Sequence, residues 1–440
     1  MNVLRRHRQA AGPTLVSTLA SAVSAGTTLV IARGAGAAAF GRFTLVLSIA
    51  LIVAVGMLMS LHYVMLQELP RAAPAERPAL VATALTATLG LGLAVLAAGL
   101  AAAGPLTRLL GVGTGTLALA LVLALSLTLY QLTEGLLRGL GRYREVAAAK
   151  LAAAGCYLGV SLFCLLVLDV GDAEVYVAAL VVTNLAFALT GAVLTRAPRR
   201  SWSARLARTL YRHGACVTVI AALTAVLFGV DVVFLNHWAE RADVGVYSVY
   251  NGFPKRLLGV VFTDGIGLVL LPALALADKV SAMRRIARLT PAVAAGTALF
   301  SFAASTVFFL LAGPGYPYDL ALMALSAAGI GAHTAFNLYS VALAMDGLRG
   351  ARVLIGCLLA GVPAGLACQA LCIGRWGLTG GLAAFALSNL ILLVLVMAAA
   401  ARKYRPGAVT ESTEPASCAS PSSSTSTRPT SPRDSAATPS

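Results

Sequence analysis

Charge is scarce in this chain. Only 11% of its 440 residues are Asp, Glu, Lys or Arg, and only 17 are acidic. A soluble domain carries about 25% charged residues, so a set of soluble domains is excluded. Ten-residue segments of strict apolar/polar alternation are also missing, which excludes a transmembrane barrel. The seven cysteines have neither zinc spacing nor a redox pair. Six of them lie inside apolar stretches, where cysteine behaves as a small hydrophobe. There is no P-loop, no nucleophile–base pairing and no metal constellation. Nor is there the large extramembrane loop or acidic metal site that a membrane polymerase or glycosyltransferase would need. The sequence therefore reads as non-enzymatic, without cofactor or metal.

What is there is apolar: 59% of the residues are hydrophobic. Runs of about 20 such residues recur, each able to cross a hydrocarbon core ~30 Å thick as a helix. Twelve spans are predicted, at 12–32, 40–66, 79–103, 116–137, 147–168, 175–195, 214–235, 244–276, 291–312, 319–343, 353–373 and 378–400. The formal net charge of +16 is not gathered on one domain, as nucleic-acid binding would require. Alternate connections hold 23 lysines and arginines against five on the other side. The positive-inside rule then fixes twelve spans with both termini cytoplasmic. The N-terminus imitates a signal peptide, with Arg5, Arg6 and Arg8 before an apolar stretch and Ala22-Val23-Ser24-Ala25. We read it as an uncleaved first span.

The most basic connection, residues 196–213, divides the chain into two sets of six spans, 1–195 and 214–405. Its arginines at 205, 208 and 212 share a helix face, and the segment is expected to lie along the cytoplasmic membrane surface. Residues 406–440 are Ser/Thr/Pro-rich and too polar to bury a core, so a disordered cytoplasmic tail is expected. The halves match at four places in order. Phe40-Gly41-Arg42-Phe43 answers to Val244-Gly245-Val246-Tyr247, and Gly104-Pro105 to Gly313-Pro314. Arg138-Gly139-Leu140 answers to Asp346-Gly347-Leu348, and Thr183-Asn184-Leu185 to Ser388-Asn389-Leu390. Six spans per repeat preserve orientation, so the repeats are parallel, as in alternating-access transporters.

Four segments carry a family resemblance: Gly36-Ala37-Ala38-Ala39-Phe40-Gly41-Arg42-Phe43; Leu137-Arg138-Gly139-Leu140-Gly141-Arg142-Tyr143; Val244-Gly245-Val246-Tyr247-Ser248 with Leu271-Pro272; and Trp376-Gly377-Leu378-Thr379-Gly380-Gly381. Over residues 12–400 the chain resembles the Wzx-type oligosaccharide-lipid flippases, in the superfamily that includes the MATE exporters and the lipid II flippase. The resemblance implies an all-α, two-lobed, MATE/flippase-like fold with spans 1, 2, 7 and 8 around a central cavity. It implies a multi-pass protein of the bacterial cell membrane that moves undecaprenyl-diphosphate-linked sugars from the inner to the outer leaflet for surface polysaccharide synthesis. Its partners would be that lipid-linked oligosaccharide, membrane lipids and other polysaccharide-assembly membrane proteins.

Ionisable residues at membrane depth are functional candidates. Lys255 and Arg256 fall about 17 Å from the outer end of span 8, near the midplane. Tyr247, Asn251 and Lys255 recur every four residues and share a face, and Pro254 is placed to kink the span. We expect Lys255 and Arg256 to face a cavity and attract the pyrophosphate headgroup. The competing reading pairs them internally with Asp231 of span 7 or Asp264 of span 8, as a charge pair that gates. Arg33 and Arg42, at the outer ends of spans 1 and 2, are candidates to receive the headgroup or to anchor at the interface. The Ser/Thr stripe of span 1 (Thr14, Ser17, Ser21, Ser24, Thr28) reads as close packing or as a hydrated wall. Asn184 and Asn389 are expected to hydrogen-bond within each half, and His333 with Asn337 to be structural.

Two other readings stay open. A cation or drug antiporter on the same fold needs an acidic residue within a lobe, whereas span 1 has none and the midplane charge of span 8 is positive. A non-transporting scaffold of a polysaccharide assembly complex would look the same at this level.

Overall fold

In the computed structural model, residues 2–195, 202–260, 278–313, 315–344 and 346–404 are described. Asp264, Leu271-Pro272, the first part of the basic connection and the tail 406–440 lie outside them, as do the side chains of Arg5, Arg6, Arg8, Thr14 and Arg256. The described residues are all-helical, with no strand. The elements are α1 (Asn2–Leu58), α2 (Leu61–Arg71), α3 (Arg77–Ala101), α4 (Ala103–Leu110), α5 (Thr114–Gly139), α6 (Tyr143–Leu166) and α7 (Ala173–Thr195). After them come α8 (Ala204–Trp238), α9 (Arg241–Tyr247), a π turn (Ser248–Gly252), α10 (Phe253–Val260), α11 (Lys279–Ala312), α12 (Leu320–Ala344) and α13 (Gly347–Lys403).

Among the described residues nine helices are long and apolar enough to cross a membrane. Two are far too long for one crossing. Gly36 in α1 (φ 80°, ψ 169°) and Gly377 in α13 (φ 51°, ψ −125°) break them, and only glycine reaches such dihedrals without cost. The nine helices thus make eleven crossings, and the next begins as α9, the π turn and α10. Leucines such as Leu15, Leu166, Leu189, Leu310 and Leu371 are more than half exposed, a pattern suited to lipid rather than water. The chain is a polytopic membrane protein.

Equivalent residues of the two sequence repeats meet each other. Ser248 Oγ donates to Thr44 Oγ1 at 2.8 Å, across a separation of 204 residues. One turn away, Gly41 and Gly245 let the two backbones touch. A Cβ on Gly41 would sit 2.5 Å from Arg241 O, and one on Gly245 would collide with Ala37 O. Contact between equivalent positions is what a two-fold axis running between spans 2 and 8 produces. The repeat also shows inside each half. Asn184 donates to Ser126, 58 residues back, and Asn389 accepts from His333, 56 residues back.

At the end of the bundle marked by Gly36 and Gly377 the halves share one apolar cluster, in which Phe40 and Phe43 join Val244, Tyr250, Phe309 and Tyr316. Tyr316 there donates to Ala32 O at 2.8 Å. Toward the other end the apolar residues divide. Leu61, Met65, Leu69 and Leu136 form one cluster, and Met283, Phe336, Leu354 and Leu392 another.

The basic connection departs from expectation. From Ala204 it is already part of α8, continuous with span 7, and Leu210 is buried among Leu58, Leu61 and Leu132. The apolar face of Leu206, Leu210 and Tyr211 finds protein to bury against, which removes the reason for a separate surface helix. Three hydroxyls of span 1 satisfy themselves, whereas that of Ser17 is buried without a partner among the described residues. Ser24, Thr27 and Thr28 each donate to a carbonyl four residues back.

Two predictions follow from this packing. Gly245→Ala is expected to cost about 1–3 kcal/mol, because a backbone oxygen cannot yield to a methyl group, and to lower the thermal midpoint in detergent. A midpoint equal to that of the unchanged chain would show that the helices part freely there. Between α12 and α13, Asp346 takes Lys403 Nζ at 2.5 Å and Tyr404 OH at 2.7 Å. Burial pushes its carboxyl up, but these hydrogen bonds and the Lys403 and Lys279 charges outweigh burial and hold it below its ordinary 3.8. A depressed carboxyl stabilises the fold above the unfolded value, and that contribution is lost as pH falls through the folded one. The midpoint gap between the unchanged chain and Asp346→Asn should therefore be full above the ordinary carboxylate range and shrink as pH falls below 3.8.

Candidate buried charge site

The site is assembled on the carboxylate of Asp231, on α8, which is 1% exposed. Tyr247 OH donates to Oδ2 at 2.5 Å, Asn251 Nδ2 at 3.3 Å and Lys255 Nζ at 3.3 Å. Val232 N–H donates to Oδ1 at 2.8 Å. Asn251 Nδ2 also reaches Tyr247 OH at 2.5 Å.

Residues four apart on a regular α-helix drift by about 40°, so Tyr247 and Lys255 would diverge by about 80°. The π turn Ser248–Gly252 widens one turn between them and takes back part of that drift. Three donors eight residues apart thus converge on one oxygen. Asn251 Oδ1 is buried and has no partner among the described residues.

Aromatic rings hold the ammonium from the other side. Lys255 Nζ lies 4.0 Å from the Phe385 ring centroid and 6.0 Å from that of Phe228. His333 packs against both rings. Its Nδ1 is 2.9 Å from Asn389 Oδ1 and its Nε2 2.9 Å from Asn337 Nδ2. Asn389 Nδ2 is used on Phe385 O, so Asn389 offers His333 an acceptor. The imidazole then carries its proton on Nδ1 and accepts at Nε2, which is the neutral form beside an ammonium.

Of the residues singled out in the sequence, the structure brings together Asp231, Tyr247, Asn251 and Lys255. The side chain of Arg256 and all of Asp264 lie outside the described residues. Arg33 and Arg42 are elsewhere, at the Gly36 end. Arg33 Nη1 donates to Leu311 O at 3.2 Å, and Arg42 lies 3.7 Å from Glu174 and 4.0 Å from Asp172. A second charge cluster, at the ends of spans 4 and 5, was not singled out in the sequence. Glu134 Oε1 takes Arg138 at 2.6 Å and Lys150 at 3.0 Å, joining α5 to α6. Its signal was present, since Glu134 and Arg138 are four apart and Lys150 falls inside span 5.

No family model matches the chain, and no curated protein matches it. Solved structures do. An inward-facing multidrug-resistance MATE transporter of the MOP superfamily aligns with TM-score 0.57 and 13% identity, covering 88% of this chain and 94% of that one. The lipid II flippase MurJ in an inward closed conformation gives 0.56 and 7%, covering 88% and 86%. A MOP-superfamily transporter from Pyrococcus furiosus, described as having a binding pocket of reverse polarity, gives 0.51 and 15%, covering 89% and 94%. The chain has the fold these transporters share.

The pair predicts a coupled response to substitution. Asp231→Asn alone leaves a buried ammonium without its counter-charge and should cost about 3–5 kcal/mol. Adding Lys255→Met should recover most of that loss, measured as the unfolding midpoint of the single and double variants. Strictly additive losses would show that the two side chains do not interact.

Proposed function

We propose that this chain is an alternating-access transporter for an anionic lipid-linked oligosaccharide, moving it between leaflets. The lobes would be residues 1–195 and 214–405. They would rock about the Thr44–Ser248 and Gly41–Gly245 contact. One apolar cluster shared at one end and two clusters at the other support this division. The shared end is the one that the charge pattern assigns to the outside, so this conformation is closed outward.

The observation that carries the reading is the Lys255–Asp231 pair. Lys255 keeps 18% of its side chain exposed, whereas Asp231 keeps 1%. The side chain of the cation is thus the less enclosed of the two. A diphosphate presents several anionic oxygens and can compete with one carboxylate for an ammonium. The orphan acceptor Asn251 Oδ1 is suited to a hydroxyl or another donor that arrives with the substrate. Arg256, the next residue, adds a second cation to the same turn.

One observation favours a second reading, a cation-coupled exporter. Asp231 is a buried acid with the Tyr247 hydroxyl on its Oδ2, and a buried carboxylate is a group that a coupling proton would use. The two readings separate in a deletion strain. The flippase reading expects lipid-linked oligosaccharide to accumulate on the cytoplasmic leaflet. It also expects the Asp231→Asn/Lys255→Met double variant to fail to clear it while being expressed normally. Drug sensitivity without any lipid accumulation would select the exporter reading.

A further inference from the structure

A cleft of about 250 Å³ opens beside the connections α2–α3 and α5–α6 and the end of α7. It is well apart from the buried charge site. Its lining includes two arginines from different connections, Arg77 and Arg142, with Pro74, Val81, Leu140 and Thr195 around them. Among the described residues no acidic side chain lines it.

Both guanidiniums are oriented by backbone carbonyls. Arg77 Nε donates to Ala72 O at 3.2 Å, and Arg142 Nη1 donates to Leu194 O at 2.6 Å. Each guanidinium has five N–H donors, so one bond fixes its direction and leaves others for a ligand. Among the described residues neither arginine has a carboxylate within ion-pair distance. The nearest acid in sequence, Glu76, is turned back to accept from Ala73 N–H. Glu145, on the first turn of α6, is exposed and outside the lining.

The backbone adds to the same field. Arg77 and Pro78 open the 25-residue α3, and Arg142 is the N-cap of the 24-residue α6. Neither helix has a side-chain cap at this end. Two positive helix termini and two guanidiniums therefore surround one hollow. Proline, valine, leucine and Thr195 form the rest of the wall.

We propose that this cleft is a binding site for a phosphate group, held by Arg77 and Arg142 at the membrane face. The phosphate can come from the headgroup of an acidic phospholipid, whose chains the apolar wall would meet, or from free phosphate. Basic hollows between membrane helices take lipid headgroups in this way. The motif Leu137-Arg138-Gly139-Leu140-Gly141-Arg142-Tyr143 gains a role here. Gly141 (φ 77°) makes the turn that presents Arg142 to the cleft.

The test uses the full chain in three settings: neutral phosphatidylcholine micelles, the same with phosphatidylglycerol, and the same with inorganic phosphate. In the first added component that binds, the thermal midpoint should rise by about 1–2 °C at roughly tenfold saturation, as the size of the chain dictates. Arg77→Gln with Arg142→Gln should abolish that rise. Arg71→Gln with Arg144→Gln removes the same charge from exposed positions in the same connections and should leave it intact. A rise with phosphatidylglycerol alone identifies the lipid, and an equal rise with inorganic phosphate identifies the free anion. If the glutamine pair does not fold in neutral lipid, Arg77→Lys with Arg142→Lys replaces it and should lose most of the rise, because an ammonium cannot reproduce the fork. No rise with either component, or a rise that survives in the cleft variant, overturns the proposal.

Discussion

The arrangement of the second six spans depends on how a single buried carboxylate is neutralised. Asp231 is 1% exposed, and burying a carboxylate is costly unless it is hydrogen-bonded, which its four donors provide. Three of those donors come from one short stretch of the neighbouring span, and they reach one oxygen because that stretch contains a π turn. The ammonium is then boxed by Phe385 and Phe228, and His333 is held behind them in a fixed tautomer. Charge, helix irregularity and aromatic packing form one unit, and altering any member exposes the others to an unpaired charge in an apolar medium.

The second constraint is steric. Spans 2 and 8 approach closely enough for backbone to meet backbone only because Gly41 and Gly245 carry no side chain. This contact lies one turn from the Thr44–Ser248 hydrogen bond and beside Tyr247, which belongs to the charge site. The surface along which two lobes would move and the site that would read the substrate thus share a helix. A change in the occupancy of Lys255 would act on the helix that carries the inter-repeat contact. This gives substrate binding and rocking a common mechanical element.

Much of this was legible in the sequence. The spans follow from apolar run length, and the repeat from matched Gly-containing segments, which the Thr44–Ser248 contact then joins in space. The face formed by Tyr247, Asn251 and Lys255 was readable from its spacing. The pairing of Lys255 with Asp231 depends on the azimuth of α8, which no periodicity states because that helix is apolar nearly all round. The π turn was equally hidden, since nothing in Ser248–Gly252 distinguishes it from α-helix beyond the following Pro254. His333 and Asn389 were read as structural, but their proximity to Lys255 depends on three helices packing together. The position of the basic connection is set by the apolar face of Leu206 and Leu210, which packs on protein, and not by its arginines.

The central claim is that this fold moves an anionic lipid-linked saccharide across the bilayer. The most direct measurement is made on the purified chain in liposomes holding a fluorescent diphosphate-linked isoprenoid saccharide, with an impermeant quencher outside. In protein-free vesicles only the outer-leaflet fraction is quenched. The account predicts that vesicles containing the protein lose the protected fraction as well, and that the Asp231→Asn/Lys255→Met chain behaves as protein-free vesicles do. A protected fraction that persists with the unchanged chain, in vesicles where the protein is folded and correctly inserted, would contradict it.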